Sequence, residues 1–299
     1  MTALAAAAPA IRLGRAAKHR SRTIRNAIAT ACIVASFLIV LVPLVFVIGY
    51  VVARGHQLFG YAFLTKEIPT PRTPGPGMGP AVLGTLLITG AATVMAVPLG
   101  VLGGVYLSEY GRNNLMARVL RFFAEVMTGV PSIVMGLFIF TAVLLHGGSK
   151  EGLAGALALG CLMLPIVIRT TDEMLRLVPA ELREGSVALG SRQARTILRI
   201  VLPAAAPGIV SGALLAVARA AGETAPLLFV IGSTYKSNRS LFGPNTSLSV
   251  QIFSNATSSY PAAQQRAWTA ALTLIAIVFI FTVLARLVTA LYSRRVTAQ

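Results

Sequence analysis

Arg219 and Glu223 stand in AVARAAGETAPLLF, inside a segment that is otherwise apolar from 204 to 234. A charge at mid-membrane costs about 2.5–3.5 kcal/mol on insertion scales, so two in one segment need a reason. Spacing of four puts both on one face of a helix, where each partly neutralises the other. One reason is structural: an ion pair, or an arginine held by backbone carbonyls. The other is chemical, with this face lining a water-filled path for an anion. A guanidinium offers paired donors to an oxyanion. A carboxylate beside it holds the arginine and accepts a hydrogen bond from a protonated substrate oxygen. Such a carboxylate repels sulfate, which keeps no proton at neutral pH, and tolerates phosphate, which keeps at least one.

A second charged group, Arg169 and Asp172 with Glu173 and Arg176, falls where another apolar segment ends. It reads either as a snorkelling interfacial cluster or as part of an exit gate. Glu125 reads as interfacial or salt-bridged. Cys32 and Cys161 both lie in apolar runs, so neither a metal site nor a disulfide framework is indicated. The only lysines, Lys18, Lys66, Lys150 and Lys236, have no glycine before them, so the chain carries no Walker A sequence and no ATP site of its own.

The elements that must position these charges follow from composition. With 56% hydrophobic and 12% charged residues, the chain is not an ordinary soluble domain. A bilayer span needs about 20 apolar residues. The sequence predicts an all-α polytopic membrane protein with six helices near 27–53, 81–108, 119–145, 153–171, 204–234 and 267–292. The fourth is short and rich in Gly and Ala. Lys and Arg crowd the N-terminal tail, residues 112–121, residues 169–199 and the C-terminal end. By the positive-inside rule, both termini are cytoplasmic. The net charge of +17 therefore fits topology and contact with anionic membrane lipid rather than nucleic acid. The basic N-terminus precedes an apolar run too long for a signal-peptide core, which makes that run a retained helix.

Along the chain, 1–26 is a basic cytoplasmic tail and 27–53 a peripheral first membrane helix. Residues 54–79 form an external loop carrying most of PTPRTPGPGMGP, which is incompatible with regular helix. A five-helix core occupies 80–292 and contains a cytoplasmic loop at 172–203; residues 293–299 form a cytoplasmic tail. The external segment 235–265 is expected to carry a short helix. Gly100 with Gly104, and Gly208 with Gly212, have the spacing that lets helices approach closely. Pro98, Pro131, Pro165 and Pro226 can kink or break spans. Asn245 and Asn255 match a glycosylation pattern that is common by chance. No convincing long internal repeat points to an inverted-repeat secondary transporter.

Within the loop, Pro179 suits the first turn of a helix. Leu182, Ser186 and Leu189 then share a face, Gly190 ends the helix, and Ser191 caps a second one bearing Ile197, Ile200 and Val201. Pro203 is expected to break the chain on re-entry to the membrane. The residues alone allow an amphipathic connector on the lipid surface or a protruding knob that grips another protein.

The spacing Glu184-Gly185-Ser186, Gly190, Ile200, Leu202-Pro203 resembles the EAA loop of bacterial ABC importer permeases, with Gly185 and Ser186 where two alanines are usual. The resemblance implies that Glu184, Gly185, Ser186, Leu189 and Gly190 couple to a separate ATPase. GVYLSEYG (104–111), TGVPSIVMGLF (128–138), RTTDEMLRLVPAELREGSVALG (169–190) and ARAAGETAPLLF (218–229) resemble, more closely, the permeases of phosphate-specific (Pst) ABC transporters, in particular the PstA group. That likeness spans roughly 80–292. It implies a type I ABC importer (MetI-like) core in a bacterial inner membrane and import of inorganic phosphate. It also implies three partners: a PstB-like ATPase dimer that binds ATP, a second PstC-like permease and a PstS-like phosphate-binding protein. Residues matching Arg219, Glu223, Arg169 and Asp172 are implicated in translocation there. A permease for sulfate or molybdate, or an ATP-independent channel or secondary transporter, are the alternatives the residues leave open.

Overall fold

A computed structural model of the chain describes residues 16–111 and 114–297. It is helical, with no strand among the described residues. The chain divides into two compact units, one ending at Tyr50 and the other beginning at Val51. Helix α1 (Ala16–Gly55), which lies in the first as far as Tyr50, is continuous through Pro43. It starts well before the expected residue 27, because AAKHRSRTIRNA is made largely of good helix formers. The part of the expected basic tail before Ala16 lies outside the described residues.

In the second unit, a short helix α2 (Tyr61–Thr65) precedes the Pro/Gly-rich stretch. Helix α3 (Gly79–Val105) carries Pro80 in its first turn and ends in a π-turn, Tyr106–Tyr110. Helices α4 (Leu115–Gly129) and α5 (Ser132–Ile139) follow, the latter closing in a second π-turn. Helix α6 (Gly152–Arg176) leads to the short α7 (Ala180–Ala188) and α8 (Gln193–Thr196). A third π-turn, Ile197–Val201, opens into α9 (Leu202–Ala221), followed by α10 (Ala225–Val230), α11 (Leu248–Ala256) and α12 (Pro261–Thr297). The expected short helix between 235 and 265 is α11.

Among the described residues, five helices are long and apolar enough to span a membrane, and α4 with α5 makes a sixth only as a bent pair, turned by 106°. The single helix expected over 119–145 is therefore broken. Val130, preceding Pro131, is extended (φ −70°, ψ 129°), because the proline ring disfavours helical geometry in the residue before it. The fifth span, expected as continuous over 204–234, ends at Ala221 and restarts at Ala225. Pro226 lies in the first turn of α10, where its missing N–H leaves no bond unmade. Pro98 and Pro165 stay inside unbroken helices. Pro203 does not break the chain either. It sits in the first turn of α9, directly after a π-turn whose wider winding gives its ring room. The last helix runs to Thr297, past the expected residue 292.

Helix α6 is the centre. Its small residues Ala154, Ala156 and Ala158, with Leu159, Met163 and Val167, are buried against α3, α9 and α10. The Gly/Ala richness that shortens its apolar signal is what lets neighbours crowd it. A Cβ on Gly100 or Gly104 of α3 would come within 2.7 Å of Val167 or 2.5 Å of Thr171. Gly208 and Gly212 of α9 lie equally close to Met174 and Thr170.

Loop 66–78 is fixed rather than free. The wholly buried Arg266 donates from Nη1 to the Thr73 carbonyl (2.6 Å) and from Nη2 to that of Thr70 (3.1 Å). Asn245 and Asn255 are both buried, with their amide nitrogens donating to neighbouring carbonyls, so neither presents itself for glycosylation. The Leu248 N–H donates to Thr85 Oγ1 (2.9 Å), seating α11 on α3. Beside it, a Cβ on Gly84 would lie 1.9 Å from the Thr246 carbonyl oxygen, whereas one on Gly160 meets nothing within 4 Å. Gly84→Ala is expected to destabilise the folded protein by about 1–3 kcal/mol, with Gly160→Ala neutral or stabilising; thermal unfolding in detergent separates the two.

Candidate functional site

Two charged cavities succeed one another along the groove between the antiparallel α4 and α6. The first, of about 240 Å³, is lined by Met127 and Thr128 of α4, Pro131 and Ser132 at the bend, Met163 and Ile166 of α6, and Arg219 and Glu223. The second, of about 190 Å³, is lined by Arg121 and Glu125 of α4 and by Arg169, Asp172, Glu173 and Arg176 of α6. From Met163 to Asp172 is about 14 Å at helical rise. The four residues expected on the pathway are thus brought to one groove, two lining each cavity.

The pairs differ in how much bonding capacity they have used. Arg219 closes the last turn of α9, and Glu223 follows Gly222 in the break, not in the middle of a helix as the sequence suggested. Arg219 Nε is 3.7 Å from Glu223 Oε1, too far for a hydrogen bond. Their side chains are 69% and 20% exposed. The Glu223 main chain is anchored, its carbonyl accepting from Ser249 Oγ at 2.9 Å. The backbone of Glu223 is held in place while both charged groups keep donors and acceptors open to the cavity.

Asp172 is the opposite case. It accepts from Arg121 Nε (3.3 Å) and from Arg176 Nε and Nη2 (3.1 and 2.9 Å). Arg121 also donates to the Leu107 carbonyl in the π-turn after α3. Asp172 thereby ties α4 to α6. Arg169 pairs with Glu173 at 2.8 Å, both more than half exposed.

The loop forms the expected two short helices. Pro179 precedes α7, and Gly190 takes φ +80°, the left-handed conformation that glycine adopts without penalty. The Gly190 N–H donates to Val187 O and that of Ser191 to Ser186 O, the paired bonds of a Schellman cap. Four details depart from expectation. Pro179 caps α7 rather than entering its first turn, and Ile197, Ile200 and Val201 lie in the π-turn after α8 rather than on it. Arg192, not Ser191, is the cap of α8, and no side chain bonds there. Ser186 is turned inward, its hydroxyl sharing a 2.8 Å hydrogen bond with that of Thr196, while Leu189 is 89% exposed. The knob therefore presents a bare leucine at its tip and a hydroxyl pair at its base.

A family model described as a binding-protein-dependent transport system inner membrane component matches residues 96–298. The phosphate transport system permease protein PstA 1 of Mycobacterium tuberculosis (strain H37Rv) is 43% identical over 279 residues, 92% of this chain and 90% of that protein. PstA of Yersinia pestis is 41% identical over 274 residues, 92% and 93% of the two chains. The chain belongs to the PstA family of ABC transporter permeases. Among solved structures, a chain of the inward-facing MetNI methionine ABC transporter superposes with a TM-score of 0.61 at 19% identity, over 71% of this chain and 94% of that one. A chain of an amino acid ABC transporter with histidines gives 0.51 at 19% identity, over 71% and 90%. Both place this PstA-family chain in the MetI-like importer permease fold, and the family match makes it integral to a membrane.

Sequence reasoning missed three residues of this PstA-family site, Glu109, Arg183 and Arg121. Glu109 receives Arg183 through Nη2 (2.9 Å) and Nε (3.4 Å), with the Arg183 side chain 15% and that of Glu109 7% exposed. Arg121 binds Asp172 across 51 positions of chain. Glu109, an acid beside an apolar helix end, was the available signal. Removing the hub is expected to matter and removing the exposed pair is not. Asp172→Asn should lower stability by roughly 2–3 kcal/mol, and Arg169→Gln by less than about 1 kcal/mol, as read by thermal unfolding in detergent.

Proposed function

We propose that this chain is a transmembrane permease subunit of an ATP-driven importer of inorganic phosphate. It hydrolyses nothing itself. ATP is bound by a separate PstB-like ATPase dimer, a second PstC-like permease completes the path, and a PstS-like binding protein delivers phosphate. The membrane is a bacterial inner membrane, with both termini and the 172–203 loop cytoplasmic. Kinship with PstA proteins supports the class of cargo. The observation that carries the mechanism is the open Arg219–Glu223 pair, a cation and an acid with unused hydrogen-bonding groups facing a cavity at a break between two helices.

Phosphate enters this cavity beside Arg219, whose guanidinium donates to its oxygens, while Glu223 accepts from the proton that hydrogen phosphate retains. It then follows the α4–α6 groove to the cluster of Arg169 and Asp172. Asp172 orders the surrounding arginines rather than meeting the ion itself. Glu184, Gly185, Ser186, Leu189 and Gly190 build the knob that seats on the ATPase, with Leu189 at the point of contact. Closure of the ATPase dimer on ATP moves the knob and opens the path to the outside. Hydrolysis returns it, and phosphate leaves inward.

Two outcomes test these roles. Glu223→Gln removes the charge that rejects fully deprotonated anions. Sulfate should then compete with radiolabelled phosphate uptake better by about fivefold or more, a charge at contact distance being worth about 1–4 kcal/mol between bulk water and a protein surface; unchanged sulfate rejection would remove Glu223 from selection. Leu189→Ala should weaken co-purification of the ATPase about tenfold or more, the loss of one buried leucine, and full retention would make the loop a lipid-surface connector.

A further inference from the structure

We propose that Glu109 is a positioning residue through which the knob and the charged cluster of the groove are mechanically joined. The inference rests on the coupling role given to the loop above. Glu109 lies in the π-turn that closes α3, a geometry that recurs at functional positions because its wider winding redirects the chain locally.

Two parts of the molecule meet on this one turn. From the knob, Arg183 of α7 grips the Glu109 carboxylate, and Gln193 of α8 donates to the Glu109 carbonyl at 3.2 Å. From the groove, Arg121 of α4 donates to the carbonyl of Leu107, two residues away, while its Nε holds Asp172 of α6. Leu107 and Ser108 between these contacts are 2% and 5% exposed, so the turn is packed in place and one set of bonds cannot shift without the other. Arg183 is itself committed elsewhere, donating to the carbonyls of Leu175 (2.7 Å) and Val178 (2.6 Å) at the end of α6. Displacement of α7 therefore pulls on the turn after α3 and on the end of α6 together, and through Arg121 on the α4–α6 contact that borders the second cavity. A buried ion pair is a weak source of stability but a strong constraint on geometry. That is the property a transmitting joint requires.

A merely structural staple and a transmitting joint differ in what they do to the ratio of phosphate moved to ATP consumed. The assembled transporter with its three partner proteins is reconstituted in proteoliposomes, and radiolabelled phosphate uptake and ATP hydrolysis are measured on the same vesicles. Glu109→Gln keeps the shape and an acceptor oxygen while removing the charge. It should leave the complex assembled and lower phosphate imported per ATP by about tenfold, the loss of a hydrogen bond to a charged group. Arg121→Lys should lower the same ratio. Because both act through one turn, the double variant should fall no further than the worse single one. A wild-type ratio for Glu109→Gln, or losses that multiply in the double variant, overturns the proposal. Should Glu109→Gln fail to assemble, Glu109→Asp carries the same readout: a lowered ratio supports the joint and a wild-type ratio overturns it. A wild-type complex that imports no phosphate with ATP instead overturns the functional reading beneath it.

Discussion

The Arg183 guanidinium is the constraint on which the rest of the arrangement hangs. It is largely withdrawn from water, and a charge so placed must be paired and hydrogen-bonded to be tolerated. Its partners are Glu109 at the end of α3 and the Leu175 and Val178 carbonyls at the end of α6. Those bonds fix where α7 sits relative to the two helices that pack most intimately in the core. The Schellman cap at Gly190 and the Ser186–Thr196 hydroxyl bond then fix α8 relative to α7. The exposed Leu189 is thereby presented from a rigid base, which is what a part that receives force from another protein needs.

Charged groups in this chain sort by whether their bonding capacity is spent. Arg183, Arg121 and Asp172 are occupied by several partners each, and Arg266 gives two of its donors to the loop at Thr70 and Thr73. They hold elements together. Arg219 and Glu223 are close enough to feel each other but too far apart to bond, and they face a cavity at a point where the helix is already interrupted. A mid-membrane helix break leaves backbone groups to satisfy, and such breaks are tolerated where they line a polar path. The location of the break and the open state of the charges point the same way.

Much of this was legible in the sequence, and what was not has physical reasons. Apolar run length located every span, and the four-residue glycine spacing marked where α3 and α9 press on α6. Run length is blind to breaks, however. The residues from 126 to 145 stay apolar through Pro131, and those from 204 to 234 are interrupted only by Arg219 and Glu223, so run length alone does not separate one helix from two. Prolines alone did not decide it, since Pro98 and Pro165 sit inside unbroken helices and Pro203 follows a π-turn. In the loop, Pro179 and Gly190 fixed the turn, but helical spacing grouped Leu182, Ser186 and Leu189 on one face without saying which would turn inward. The pairings of Glu109 with Arg183 and of Arg121 with Asp172 cross 74 and 51 positions of chain, and no local pattern encodes them.

The most direct test of the account is phosphate uptake into proteoliposomes holding this chain with the proposed second permease, ATPase and binding protein. ATP is supplied or withheld on the side of the 172–203 loop, and sulfate is present in excess. The account predicts uptake that requires ATP and persists against sulfate. Phosphate movement without ATP would contradict it and make the loop a bystander, and uptake abolished by sulfate would remove phosphate selection from the Arg219–Glu223 pair.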